Sequence, residues 1–198
     1  MMKPISSLLA GWALMLVAMM SPTLIAPIWH IIQHSFKRRR ARSVTLFLFG
    51  YAVIWMAVGA VLITIVLMLH PLMAQSYLPV VVVGIIAFVW QCSPIKQRCV
   101  NRCHNHRALA AFGIAADLDV LQFGIMHGVW CVSSCWVLML LPMMISYGHF
   151  VAMAVVTFMM TSERLELPKP VRWSLRANGK LMRILIAQTQ IRLHRSES

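Results

Sequence analysis

The chain has 198 residues, 60% of them hydrophobic and 12% charged, with a formal net charge of +13. A mean hydropathy of +0.77 excludes an ordinary soluble domain and points to membrane-spanning helices. The basic residues lie between and after the apolar segments, so the charge reads as membrane topology rather than nucleic-acid binding. Five cysteines fit no secreted disulfide framework.

Five apolar segments follow one another along the chain. The first covers about 8–32 and is interrupted by Pro22 and Pro27, which predict a kink or an early end. Lys3 and Leu8–Met20 have the outline of a signal peptide. The apolar run nevertheless continues to Ile32 without a small-residue cleavage site and meets Lys37–Arg40, which predicts a retained helix. The second segment covers about 44–69 and should end at His70-Pro71; the third covers about 77–95 and should end near Ser93-Pro94. Ala108–Ala116 reads as an interfacial helix or an early turn of the fourth segment, at about 120–143. A tight turn near Ser146-Tyr147-Gly148 leads into the fifth, at about 144–161. Each has roughly the length that ~30 Å of hydrocarbon requires. The tail beyond Met160 is polar and basic, and its short apolar stretch Leu181–Ala187 predicts an amphipathic helix on the inner leaflet.

This predicts an all-α, polytopic bundle of about five transmembrane helices over 1–163, followed by a basic tail over 164–198. Seventeen of the 18 Lys and Arg residues fall on one side of a five-helix arrangement, and only Lys3 falls on the other. The positive-inside rule then places the N-terminus outside and the C-terminus in the cytoplasm.

The chemistry concentrates in the fourth segment. His127, Cys131 and Cys135 are four residues apart, so they share one helix face with a drift of about 40° per step. Met139 and Met143 extend the ridge. Imidazole, thiol and thioether on one stripe suit a soft metal, Cu(I) first and Zn(II) second. A bland reading stands beside this one, because thiols and neutral imidazoles also pack in helix interfaces. Gly124 and Gly128 form a Gly-x-x-x-Gly step that admits a close neighbouring helix.

Two further groups bear on metal binding. Cys99 and Cys103, followed by His104 and His106, lie near the inner face. There a reducing cytosol would keep the thiols free as a docking or transfer site. Met15, Met19 and Met20 mark a thioether face on the first segment. Asp117 and Asp119 open the fourth segment, where carboxylates favour a helix N-terminus, and Glu163 stands ready to pair with Arg164. The chain contains no paired carboxylates, nucleophile triad, P-loop or dinucleotide motif, so the sequence predicts no enzyme and no ATP-driven pump.

The ordered set of these residues resembles a known family: the predicted metal-binding integral membrane proteins of domain-of-unknown-function class 2182, which include copper chaperones associated with bacterial tyrosinases. The resemblance rests on Trp12 with Ala18-Met19-Met20-Ser21-Pro22, Tyr51 and Trp55, and Ser93-Pro94-Ile95-Lys96-Gln97-Arg98-Cys99 with Cys103. It continues through Gly124, His127-Gly128, Cys131 and Cys135-Trp136-Val137-Leu138-Met139 to Gly148 and Glu163. It implies copper handling in the membrane with the cysteines as ligands. The family pattern often has a second cysteine directly before the Cys135 position, where this chain has Ser134. A proline after the Cys103 region is also replaced, by Asn105-His106.

The resulting expectation is a bacterial inner-membrane copper chaperone that delivers Cu(I) to a cuproenzyme such as a tyrosinase. The metal residues are Cys131, Cys135, His127, Cys99, Cys103, Met139 and Met19. The partners are the lipid bilayer and a copper-dependent enzyme, with no nucleic acid; a homo- or hetero-oligomeric state stays open. The alternatives are a copper transporter, a non-catalytic assembly or anchor subunit, and a dithiol redox protein. The last is disfavoured because helical i, i+4 cysteines are too far apart for an unstrained bridge.

Overall fold

The structure is a computed structural model and describes residues 5–104, 113–145, 148–166, 168 and 170–173. Six helices run in order: α1 (Ile5–His34), α2 (Arg40–Gln75), α3 (Leu78–Cys92), α4 (Pro94–Cys103), α5 (Gly113–Met144) and α6 (His149–Leu165). No strand occurs among the described residues.

Three helices are long and apolar enough to cross a membrane, over Ser7–His34, Arg40–Leu72 and Gly113–Met144. The third apolar segment is a bent pair: α3 and α4 meet at 64°, and together they make a fourth candidate span. The break has a local cause. Pro94 forces Ser93 out of the helical region (φ −66, ψ 137), and the Ser93 hydroxyl caps α4 by accepting from the Ile95 amide at 3.2 Å. The fifth segment becomes α6, whose 17 residues lie at the lower limit of the ~17–25 that a crossing takes. Among the described residues three helices, or four with the bent pair, are clearly long and apolar enough to span, where five spans were expected.

Proline ends fewer helices than the sequence suggests. α1 continues through Pro22 and Pro27, α2 passes Pro71, and α5 contains Pro142. Pro27 and Pro142 are fully buried, and packing by neighbouring helices sustains such segments despite the lost backbone donor. Of the 108–116 stretch, 113–116 form the first turn of α5; residues 105–112 lie outside the described residues, as does Leu181–Ala187.

α5 is the axis of the bundle and packs against α2, α3, α4 and α6, while α1 leans on α2 and α6. The α2–α5 contact is backbone to backbone. A Cβ at Gly124 would meet the Phe47 carbonyl oxygen at 2.3 Å, and one at Gly50 would meet the Leu121 carbonyl oxygen at 2.8 Å. Gly128 faces Ile54 at 3.1 Å, so both glycines of the Gly-x-x-x-Gly step lie in this contact. Trp12 from α1 lies over Gly59 and donates from Nε1 to the Trp55 carbonyl at 3.2 Å.

At the basic end, Asp117 pairs with Arg39 at 2.6 Å and Arg42 at 2.7 Å. Arg39 also donates to the Gly113 carbonyl at 3.0 Å, tying the start of α2 to the start of α5. Asp117 therefore serves as an interhelix anchor as well as an acid near a helix start.

Alanine at Gly124 or Gly59 is expected to destabilise the bundle by ~1–3 kcal/mol through overpacking. Alanine at Gly84, which has open space around it, is expected to leave thermal unfolding in detergent unchanged. Equal melting of all three variants would contradict this packing.

Candidate metal centre

The four-residue spacing in α5 turns Cys131 and Cys135 to the same side, and both are buried in the core. The Cys135 thiol donates to the Cys131 carbonyl at 2.8 Å. The Cys131 sulfur lies 3.4 Å from the Tyr51 hydroxyl, which α2 supplies across the glycine contact. Trp55, one turn further along α2, is also close to Cys131. Its indole N–H is buried without a hydrogen-bond acceptor among the described residues.

A small void of about 10 Å³ adjoins both thiols. That is close to the space one water-sized sphere occupies. Met20 from α1 and Met160 from α6 line it with the two cysteines, and Ser134 and Arg164 complete one side. Arg164 donates to the Ser134 hydroxyl at 3.1 Å and also hydrogen-bonds the Cys103 thiol. One guanidinium thus joins the thiols of α5 to the thiol at the end of α4.

Beside it lies a second charged group. Lys96 pairs with Glu163 at 2.8 Å, with side chains only 3% and 5% exposed. Gln91 completes the knot by accepting from Lys96 and donating to Glu163. Glu163 therefore binds Lys96 across the α4–α6 contact rather than its neighbour Arg164, whose charge goes to the thiols instead.

The remaining predicted ligands are placed as follows. His127 is buried within an aromatic cage of Phe47, Tyr51 and Phe123, with ring centroids 5.8, 6.1 and 6.0 Å away. Cys99 and Cys103 are buried on α4. His104 has its ring nitrogens 2.9 Å from the Val100 carbonyl and 2.8 Å from the Arg164 carbonyl, so it holds α4 to α6. Met139 and Met19 are fully buried in the same core cluster as Cys131 and Cys135. Among the described residues no three His, Cys, Asp or Glu side chains gather in a way that could hold an ion.

A family model described as PpoB2, copper chaperone, matches residues 9–186. The chain belongs to that family. No curated protein and no solved structure matches it. The family's description gives the chain a copper-related chaperone role, and the void is lined by two thiols and two thioethers, the soft ligand types that copper favours. Tyr51 and Trp55 belong to the motifs that carried the resemblance, but their place beside Cys131 depends on the register of α2 against α5. The contributions of Arg164 and Met160 were missed entirely. Arg164 looked like the first residue of a basic tail, and no sequence spacing links it to Cys103 or Ser134.

Removing one member of the Lys96–Glu163 pair leaves a buried charge alone. Lys96→Met is expected to cost about 3–5 kcal/mol, seen as a lower melting temperature in detergent. The double variant Lys96→Met/Glu163→Leu is expected to recover most of that loss; no recovery would show that the pair is not the cause.

Proposed function

We propose that this PpoB2-family protein is embedded in the bacterial inner membrane and holds one Cu(I) between Cys131 and Cys135, for delivery to a copper-dependent enzyme such as a tyrosinase. The observation that carries this reading is the small void that places two buried thiols beside Met20, Met160 and a guanidinium. Two sulfur donors satisfy a low-coordinate Cu(I). Zinc sites use about four N, S or O ligands, and the described residues gather no third His, Cys, Asp or Glu.

Copper binds the thiolate form, so loading releases the thiol protons. Two thiolates and one Cu(I) carry a net charge of −1. Arg164 supplies a cation beside them, the Tyr51 hydroxyl supplies a donor to the Cys131 sulfur, and the unpartnered Trp55 N–H nearby is a further donor that a thiolate would attract. Glu163 lines the void, but its carboxylate is committed to Lys96 and Gln91.

Cys103, linked to the cluster through Arg164, and Cys99 one turn earlier form the inner-face entry or exit step in this reading. Met139 and Met19 act as weak ligands along the buried route, and His127 is a reserve donor one turn before Cys131. Transfer proceeds by exchange: an incoming sulfur binds the ion before the old one leaves. In this reading the short α6 makes the fifth crossing, and the chain is oriented with its N-terminus outside and its C-terminus in the cytoplasm. The placement of Arg39, Arg42 and Asp117 at one end of the bundle supports this, since it gathers the first basic cluster where the rule expects the inner face.

Copper content measured by mass spectrometry, after purification under reducing conditions, is expected to be near-stoichiometric and to be lost in Cys131→Ser/Cys135→Ser. Arg164→Gln is expected to weaken Cu(I) binding by roughly 10–100-fold, the usual loss when a supporting contact is removed. Retained copper in the double-cysteine variant would refute the site. A reporter fused after Ser198 is expected to be active only if it functions in the cytoplasm. Rapid uptake of labelled copper by sealed vesicles would favour transport over presentation.

A further inference from the structure

A second cavity lies at the opposite end of the bundle from the arginine cluster. It measures about 470 Å³ and is lined by the first half of α1, the later turns of α2, the end of α5 and the start of α6. Three of its lining residues are soft or borderline metal donors: Met15, Met143 and His149. They are contributed by three different helices.

His149 is oriented by the fold. Gly148, with φ +79, reverses the chain after α5. The His149 Nδ1 then lies 2.6 Å from the carbonyl oxygen of Pro142, in the last turn of α5. A carbonyl only accepts, so Nδ1 carries the proton and Nε2 carries the lone pair. A ring whose second nitrogen is held by a backbone carbonyl is the arrangement that ligating histidines commonly show. The same contact satisfies a carbonyl that the helix end leaves without an intrahelical partner.

We infer that this cavity is a second copper site, in which Met15, Met143 and the Nε2 of His149 hold Cu(I) at the outer mouth of the bundle. The inference rests on the thiol pair being the inner site. Cys131, Cys135, Met139 and Met143 form one ladder on α5 at four-residue intervals. Met143 stands eight residues beyond Cys135, about 12 Å along the helix axis. Met15 and Met19 repeat the spacing on α1. The donor types change along the ladder, from thiols at one end to thioethers and imidazole at the other. This suits the chemistry of the two sides. Thiols persist in a reducing compartment, whereas outer thiols would be drawn into disulfides; thioether and imidazole bind Cu(I) without forming disulfides. The set of one nitrogen and two thioethers is also weaker than a dithiolate, as a site that gives up its ion must be.

The test is a Cu(I) titration against a chromophoric chelator, with the full chain in lipid nanodiscs. Three chains are compared: the unchanged protein, Cys131→Ser/Cys135→Ser, and Met15→Leu/Met143→Leu/His149→Gln. The expected result is that the triple variant loses one Cu(I) equivalent while keeping the thiolate-to-copper absorption. The double-cysteine variant is expected to keep that same equivalent, with one nitrogen and two sulfurs seen by X-ray absorption. The nearly isosteric pair Met15→Leu/Met143→Leu preserves packing and is expected to weaken the second equivalent at least ~10-fold. Unchanged stoichiometry and affinity in the triple variant would overturn the cavity site and leave the thiol site intact. Loss of all copper only in the cysteine variant would do the same. Absence of bound Cu(I) in the unchanged chain would overturn both.

Discussion

The close approach of α2 to α5 is the constraint on which the rest of this structure depends. Between helices in lipid there is little hydrophobic gain to be had, because the tails are as apolar as the side chains. Contact must come from van der Waals fit, and small residues permit the closest fit. Gly50 and Gly124 bring backbone against backbone. That registry sets Tyr51 and Trp55 opposite Cys131, and it sets Phe47 against His127. A shift of one turn along α2 would replace Tyr51 with Phe47 beside the thiol and remove the hydroxyl donor. The glycines thus fix the surroundings of a cysteine that they do not touch.

The second constraint is electrostatic. Lys96, Glu163 and Arg164 are charged groups placed among apolar helices, where an unpaired charge is expensive. Lys96 and Glu163 neutralise one another, with Gln91 filling the remaining hydrogen-bond positions. Among the described residues Arg164 has no carboxylate partner of this kind; it meets the Ser134 hydroxyl and the Cys103 thiol and lies beside Cys131 and Cys135. A guanidinium retained there favours anionic sulfur over neutral thiol nearby. The two groups together form a local charge pattern: one closed pair, and one cation left for the sulfur cluster. Ser134 contributes to holding that cation by accepting from it.

Much of this was legible in the chain. Helix content, apolar segments and the Cys131–Cys135 face follow from local periodicity, which depends on the residues themselves. The break at Ser93-Pro94 and the Gly-x-x-x-Gly contact were equally local. Errors arose where neighbours override local preference. Pro22 and Pro27 do not end α1, because flanking helices supply the packing that a proline alone would weaken; α2 also runs past Pro71, at its exposed end. Glu163 was assigned to the adjacent Arg164, yet adjacent residues on a helix point in different directions, and Lys96 on α4 is the group that faces it. Met160 and Arg164 could not be connected to Cys131 by spacing, since only the return of α6 against α5 brings them there.

The division of donors along the bundle follows from the same geometry. A four-residue step keeps side chains near one line on a helix, yet it drifts by about 40° each time. Over the three steps from Cys131 to Met143 the ridge turns by roughly 120°, so one straight stripe cannot face a single neighbour throughout. The thiol end faces Tyr51, Trp55 and the α6 residues Met160 and Arg164. The methionine end faces Met15 and His149 around the larger cavity. Rotation of the ridge therefore sets successive sulfur side chains against different partners, and in the proposed route an ion would change its environment at each step. Strong ligands at every step would trap the ion. Thioethers between a dithiol and an imidazole would make the proposed route a graded ladder instead.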